Sequence, residues 1–551
     1  MNRREFLLRS PKLTPKNQAE SIQAAGLEPY TGEWTYKQAS HLLRRTMFGA
    51  TKQDTETILA LTMSQAVDKL LTAGTDPDEP KAYVASGSVA QGNSWAAAAY
   101  DGNLENQRLT FVQSWWIDLM GRQSLSLREK MVLFWHNHFS CGANSVKDAR
   151  YMYKQNALLR TNVFGNFKTL ARLITLDPAM LRYLSGTFNT KASPNENYAR
   201  ELQELFTIGK GPEIAPGNYT HYTEADIKAA AKILTGWSDD QSKIASKFTD
   251  NNHDTSDKTF TAAYGNRVIK GGKGQAEATR ELDELLTMIF DQNQTSVYLI
   301  RKIYRWFVDY VIDDTVEQTI IQPLAAIFKS NNYEIKPVLD TLFKSAHFYD
   351  NAKIGCMIKS PADLVIGTIR QFPHPMLFPT TLPQINWAYR TLRRIMGTMQ
   401  LDIMNLPNVA GLPAYWQEPV FHEIWINADT LQKRIKFTND YSFDKLRLDE
   451  MDYGTAPRID PLEVIKMVSD PTNVTTIIND FAKYMFAVQL TPEQITELKN
   501  VIIPGLPDYE WTAEWSDYKA NPTDEAKQAA VADKLRLLLK YMFAMAEYQL
   551  A

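Results

Sequence analysis

Ser193-Pro194-Asn195-Glu196-Asn197-Tyr198-Ala199-Arg200-Glu201-Leu202-Gln203-Glu204-Leu205-Phe206 opens with the signature of a helix start. A hydroxyl residue precedes Pro at the first helical position, and an acid stands three residues after the hydroxyl. Leu202, Leu205, Phe206 and Ile208 then recur at short helical spacings. This predicts a helix from Pro194 that carries Asn197, Arg200, Glu201 and Glu204 along one face. The same signature stands at Ser360-Pro361-Ala362-Asp363 and Thr491-Pro492-Glu493-Gln494. Boxes without Pro begin at Thr35, Ser126 and Thr223. Ile227, Ala230, Ala231 and Leu234 form another helical stripe, and Ile300, Ile303, Tyr304, Phe307 and Val311 a third. About twenty such segments predict an all-α fold.

Strand signals concentrate in residues 246–270, where short β-prone runs around Phe248, Phe260 and Val268 predict one small hairpin inserted between helices. Residues 74–103, 372–383, 402–423 and 440–460 read as long connections, and no 30–45-residue repeat marks a solenoid. The expected organisation is an arm over 1–30, a main helical domain over 31–359 and a helical lobe over 360–551 packed on it. Asn2-Arg3-Arg4-Glu5-Phe6-Leu7 resembles a twin-arginine export motif. The following Leu8–Lys16 stretch is polar and broken by prolines, whereas an export signal needs an apolar run. A cytoplasmic location is therefore favoured over a periplasmic or exported one.

The 551 residues hold 60 Lys+Arg and 63 Asp+Glu, a net charge of −3, which gives no general pull toward phosphate backbones and predicts no nucleic-acid partner. No apolar run approaches the about 20 residues of a membrane helix. Cys141 and Cys356 stand far apart and outside any Cys-x-x-Cys pair, so two free thiols are expected.

Histidine is scarce, with eight in the chain, and two fall in Phe134-Trp135-His136-Asn137-His138-Phe139. Such a pair shares a face on a strand but lies about 200° apart on a helix. Convergence of both rings on one ion would need fraying at the end of the helix that the Ser126 box starts. Beside them, Glu201 and Glu204 would supply carboxylates for one divalent metal ion held by His136, His138, Glu201 and Glu204. Alternatively, one carboxyl of the pair would be raised for acid work, with Arg200 as a further catalytic group. Arg44, Arg45, Asn197, Tyr222, Trp237, His253 and Asp254 are candidate substrate contacts. The competing reading makes His253-Asp254 a turn whose Asp caps backbone amides. It likewise makes Arg44 and Arg45 cations at the end of a helix that closes at Gly49.

These segments also carry a resemblance. His41-Leu42-Leu43-Arg44-Arg45 with Phe48-Gly49, Phe134–Phe139, Asn195–Thr207, Tyr222–Trp237, His253–Phe260 and Asn408-Val409-Ala410-Gly411 resemble the bacterial domain-of-unknown-function family numbered 1800. The chain departs at Ser256, where the family tends to Gly, and at Gly411-Leu412, where it has Gly-Trp. The resemblance supports the fold and the choice of segments and supplies no reaction. It implies export signals in many members and, from neighbouring genes, an exported alkaline-phosphatase-like protein as partner.

Three function classes follow. The first is an enzyme with a His/Glu cluster, metal-dependent or not, doing hydrolytic or oxidative chemistry. The second is a glycan-active or glycan-binding helical toroid using Asn197, Arg200, His136 and Tyr222. The third is a non-catalytic partner of the alkaline-phosphatase-like protein, presenting its proline-rich loops.

Overall fold

Local capping explains where several helices begin. The computed structural model describes residues 26–449 and 456–551. In it the Asp363 N–H donates to Ser360 Oγ at 3.2 Å, and the Ser360 N–H donates back to the Asp363 carboxylate at 3.2 Å. Thr491 and Gln494 make the same reciprocal pair, at 3.3 and 2.9 Å. Pro361 and Pro492 each occupy the first turn. Helices also form after the boxes at Thr35, Ser126 and Thr223, over Tyr36–Thr46, Arg128–His138 and Glu224–Ile233. The chain is mainly α-helical.

The Ser193 box behaves differently. Ser193 pairs with Thr190, and the Asn195 N–H donates to Asn189 Oδ1 at 2.8 Å, so tertiary bonds hold these residues in a loop. The helix begins at Asn197, runs to Glu201 and widens into a π-helical turn over Leu202–Thr207.

Three two-stranded antiparallel sheets occur among the described residues. The first joins β1 (Glu213–Ala215) to β2 (Asn218–Tyr219), a hairpin the sequence did not announce. The single hairpin expected over 246–270 is two. β3 (Trp237–Asp240) pairs with β4 (Ala245–Phe248), and β5 (Lys258–Thr259) pairs with β6 (Val268–Ile269). Phe248 therefore pairs back to Trp237 and not forward to the Val268 segment.

A single hydrophobic cluster extends from Ala39 to Tyr548 and crosses residue 360 without a break. Helix Glu105–Gly121 packs along Leu382–Thr398, and helix Ala428–Ser442 along Glu525–Ala544. Each large side chain fully buried in such a core contributes about 1.5–3 kcal/mol. The segments on either side of the expected 359/360 boundary are also stitched by backbone. The Lys359 N–H donates to the Gln549 carbonyl at 2.7 Å and the Ala551 N–H to the Met357 carbonyl at 2.8 Å. No helix among the described residues is long and apolar enough to cross a membrane. The twin-arginine-like stretch, and all of the arm before residue 26, lie outside the described residues.

Candidate functional site

The π-turn at Leu202–Thr207 shapes the surroundings of the Glu201/Glu204 pair. Wide turns of this kind are rare and recur at functional sites. Here the Ile208 and Gly209 N–H groups both return to the Gln203 carbonyl, at 3.2 and 2.9 Å. Carbonyls near the turn are left to find other donors. Tyr298 Oη donates to the Leu205 carbonyl at 3.1 Å, and Lys302 Nζ donates to the same oxygen at 2.8 Å. His138 Nε2 lies 2.9 Å from the Phe206 carbonyl. A carbonyl only accepts, so His138 carries its proton on Nε2. Gly209 leaves the turn at φ +73°, and a Cβ there would meet the Tyr298 ring at 2.7 Å, so the position needs glycine.

Most of the charged side chains on this helix are tied down. Arg200 clamps Glu224 with two N–H groups, at 2.5 and 2.7 Å, and reaches Glu196 at 3.2 Å. Glu204 accepts from Tyr222 Oη at 2.9 Å and pairs with Lys210 Nζ at 2.6 Å. Glu201, partly buried beside them, has no hydrogen-bond or ion-pair partner among the described residues. Burial, and secondly the neighbouring Glu204 carboxylate, push its carboxyl up to about 7, against the pull of Arg200 and Lys210. Tyr183 and Tyr298 also lie within its electrostatic reach. Lys302 sits half-buried behind the turn, and burial followed by repulsion from Arg305 brings its ammonium down to about 7. One polar face thus holds a carboxyl and an amine that both change charge near neutrality, next to the Glu204 carboxyl bonded by Tyr222 and Lys210.

The histidines do not join this group. Helix Arg128–His138 stays regular through His138, so the two rings leave it on different sides. His136 stands edge-on to Trp116 at 5.3 Å, with its Nε2 buried and unpartnered. Burial lowers it to about 4. His138 is enclosed by Phe139, Phe167 and Phe206, and burial holds it well below the usual histidine range. The expected four-ligand set of His136, His138, Glu201 and Glu204 is therefore not assembled. No group of three or more His, Cys, Asp and Glu suited to a metal ion occurs among the described residues.

Other expected contacts lie apart from this face and bond to the surrounding scaffold. His253 lies with its Nδ1 2.9 Å from the Thr235 carbonyl and its Nε2 3.3 Å from Glu281, which also pairs with Lys258 Nζ at 2.6 Å. All three side chains are 0% exposed, so the trio bolts the hairpin region to helix Gln275–Asp291. Asp254 accepts from the Ser256 N–H at 2.8 Å, the turn-capping arrangement. Trp237 is buried against Phe248, ring centres 5.0 Å apart. Arg44 donates to the Tyr484 carbonyl, and Arg45 to the Lys353 carbonyl and Cys356 Sγ. Asn197 is exposed at the first turn of its helix. Of the named candidates, the structure gathers Arg200, Glu201, Glu204 and Tyr222. It adds Lys210, Tyr298 and Lys302. The last two stand four residues apart, on one face of helix Asn293–Phe307, and no local motif marks them in the sequence.

A family model described as Protein of unknown function (DUF1800) matches residues 41–550, nearly the whole chain. The chain belongs to this family. No curated protein and no solved structure matches it. Two of the stretches that carried the DUF1800 resemblance prove to be one structural unit. Asn137 Oδ1 accepts the Leu412 N–H at 2.8 Å, and Ser140 Oγ donates to the Asn408 carbonyl at 2.7 Å. Gly411, at φ +85°, lies so close that a Cβ would stand 2.5 Å from the Asn137 carbonyl oxygen. The DUF1800 segment at 408–411 thus closes over the end of the His136–His138 helix.

Proposed function

We propose that this DUF1800 protein is an enzyme using acid–base chemistry, with Glu201 as the proton donor and the Glu204 carboxylate beside it as the charged partner. The observation that carries this reading is the contrast in partners. Arg200, Glu204, Lys210 and Tyr222 are bonded to one another or to Glu224, while the Glu201 carboxyl is left with its proton and no acceptor of its own. A donor is most effective when its pKa lies near the working pH. Paired carboxylates among tyrosine rings suit a hydroxyl-rich substrate, so hydrolysis at a glycosidic or ester bond is the favoured reaction. Lys302 and Tyr298, bonded to the Leu205 carbonyl, act as positioning residues that hold the π-turn open.

The test is turnover of a panel of aryl glycosides and aryl esters by the purified chain and by Glu201→Gln. Turnover that Glu201→Gln abolishes, with melting unchanged or raised, supports the reading. Equal turnover by both proteins removes Glu201 from the chemistry.

A further inference from the structure

Away from the Glu201 face, cations gather in the interior without enough acids to match them. Arg44, from helix Tyr36–Thr46, is 6% exposed, and Arg434, from helix Ala428–Ser442, is 0% exposed. Lys359, half-buried on the segment leading into Pro361–Gln371, has both guanidinium groups as charged neighbours. Its Nζ stands 3.8 Å from the centre of the Tyr548 ring. Asp363 is the carboxylate that acts on both Lys359 and Arg434, and it is already engaged by Lys130 and by the Ser360 cap.

The guanidinium donors are not exhausted by protein acceptors. Arg44 Nη2 donates to the Tyr484 carbonyl at 3.0 Å, but its Nη1 is buried and meets nothing. Arg434 Nε donates to Gln549 Oε1 at 2.9 Å and Nη2 to the Lys359 carbonyl, while Nη1 is again buried without a partner. None of Arg44, Lys359 and Arg434 has an ion pair among the described residues. Carbonyl dipoles satisfy a hydrogen but do not neutralise a charge, and an unpaired buried cation is strongly unfavourable. Burial draws both guanidinium groups down to about 10, which leaves them charged at neutral pH. Burial and then repulsion from Arg44 push the Lys359 ammonium well below the usual lysine range, so a bound anion is what would hold it charged.

We propose that Arg44, Lys359 and Arg434 together bind a small tetrahedral oxyanion, a phosphate or sulfate group, entering from the half-exposed Lys359 side. Three cationic groups from three separate segments surround such an ion better than they would a flat carboxylate, which one guanidinium fork would satisfy alone. The site uses none of the residues assigned to acid–base chemistry, so the two readings stand or fall separately.

The experiment uses the full chain, dialysed into chloride buffer and titrated calorimetrically at constant ionic strength. The probes are inorganic phosphate, sulfate and phenyl phosphate, and anion release from acid-denatured protein is measured by ion chromatography. The expected result is either about one phosphate or sulfate released per chain or saturable binding with a melting rise of about 2–4 °C in excess anion. Lys359→Met should weaken phosphate binding by about tenfold or more, while Lys519→Met, on an exposed helix, should not. Binding of phenyl phosphate as well as phosphate assigns the site to a phosphorylated ligand, and binding of the inorganic ions alone assigns it to a free anion. If Lys359→Met does not fold, Arg44→Lys replaces it, with the same loss expected. Phosphate and sulfate behaving as chloride, with no anion released, would overturn the proposal and leave the unpaired nitrogens to water. Wild-type affinity in the substituted chain would overturn it equally.

Discussion

Glu201, on the short helix–π-turn unit, and His138, which reaches that unit from helix Arg128–His138 through the Phe206 carbonyl, illustrate two fates of a titratable side chain. Glu201 has its carboxyl raised to about 7 by burial and Glu204. Between the ordinary carboxyl value of 4.5 and about 7 the folded chain therefore holds a proton there that the unfolded chain releases. The folded state binds the extra proton, so this group's contribution to stability falls as pH rises through that window. Glu201→Gln should match the wild type below the window and become more stable above it. The difference should be on the order of 1 kcal/mol once solvent screening of this partly exposed group is allowed for. Melting curves across pH check this, and a difference that does not change with pH would show that Glu201 ionises normally. If Glu201 is the proton donor, the same substitution should cut turnover by about 100-fold or more. His138 is the opposite case. Its replacement by Ala would strand the Phe206 carbonyl and open a void among Phe139, Phe167 and Phe206, at a cost of about 2–4 kcal/mol in chemical denaturation.

At the level of elements, the caps show what a sequence can and cannot announce. Ser360 and Thr491 are legible because every atom of a capping box lies within four residues, and at these two positions no outside contact displaces the cap. Thr491→Ala should therefore lower stability by about 1 kcal/mol. Ser193 carries the same letters, yet Asn189 and Thr190 hold its segment as a loop. Ser193→Ala should consequently change little, within about 0.5 kcal/mol. Equal losses in the two variants, measured by urea unfolding, would mean that Ser193 is also a working cap. The carboxylate half of the candidate site was legible for a related reason, since helical spacing put Arg200, Glu201 and Glu204 together. The histidine half was not. His138 finds its acceptor 68 residues away in sequence, a last-turn carbonyl whose tertiary partner spacing rules do not encode. The inserted hairpin is legible as a region but not in its pairing, because Phe248 is β-prone in either register and its partner Trp237 lies upstream of residues 246–270.

Across the molecule, the continuous core from Ala39 to Tyr548 joins the two expected parts and predicts that they unfold together. The backbone bonds between 357–359 and 549–551 pass beside Arg434, whose Nε depends on Gln549. Scanning calorimetry should show one main transition, and a second well-separated endotherm would mean that the 31–359 and 360–551 parts unfold independently. The contact between Gly411 and the Asn137 backbone is a confined point of the fold, where a Cβ at residue 411 would stand 2.5 Å from the Asn137 carbonyl oxygen. Gly411→Ala should destabilise the whole chain by about 2–4 kcal/mol, since both the positive φ and the backbone neighbour oppose a methyl group.

The π-turn has a consequence for how this chain tolerates change in length. A substitution at Leu205 alters one side chain, but removing one residue between Leu202 and Thr207 would let the segment relax to an ordinary α-helix. The wide turn already carries about one residue more than an α-turn, so the residues beyond Thr207 would keep their facing while those inside the turn would shift by one place, about 100°. Glu204 would swing away from Tyr222, or Phe206 away from His138, because both cannot be kept on the shorter path. The alignment between the reactive face and the scaffold is thus set within the turn itself, and a single-residue deletion there should disturb that face while leaving the segments on either side in place.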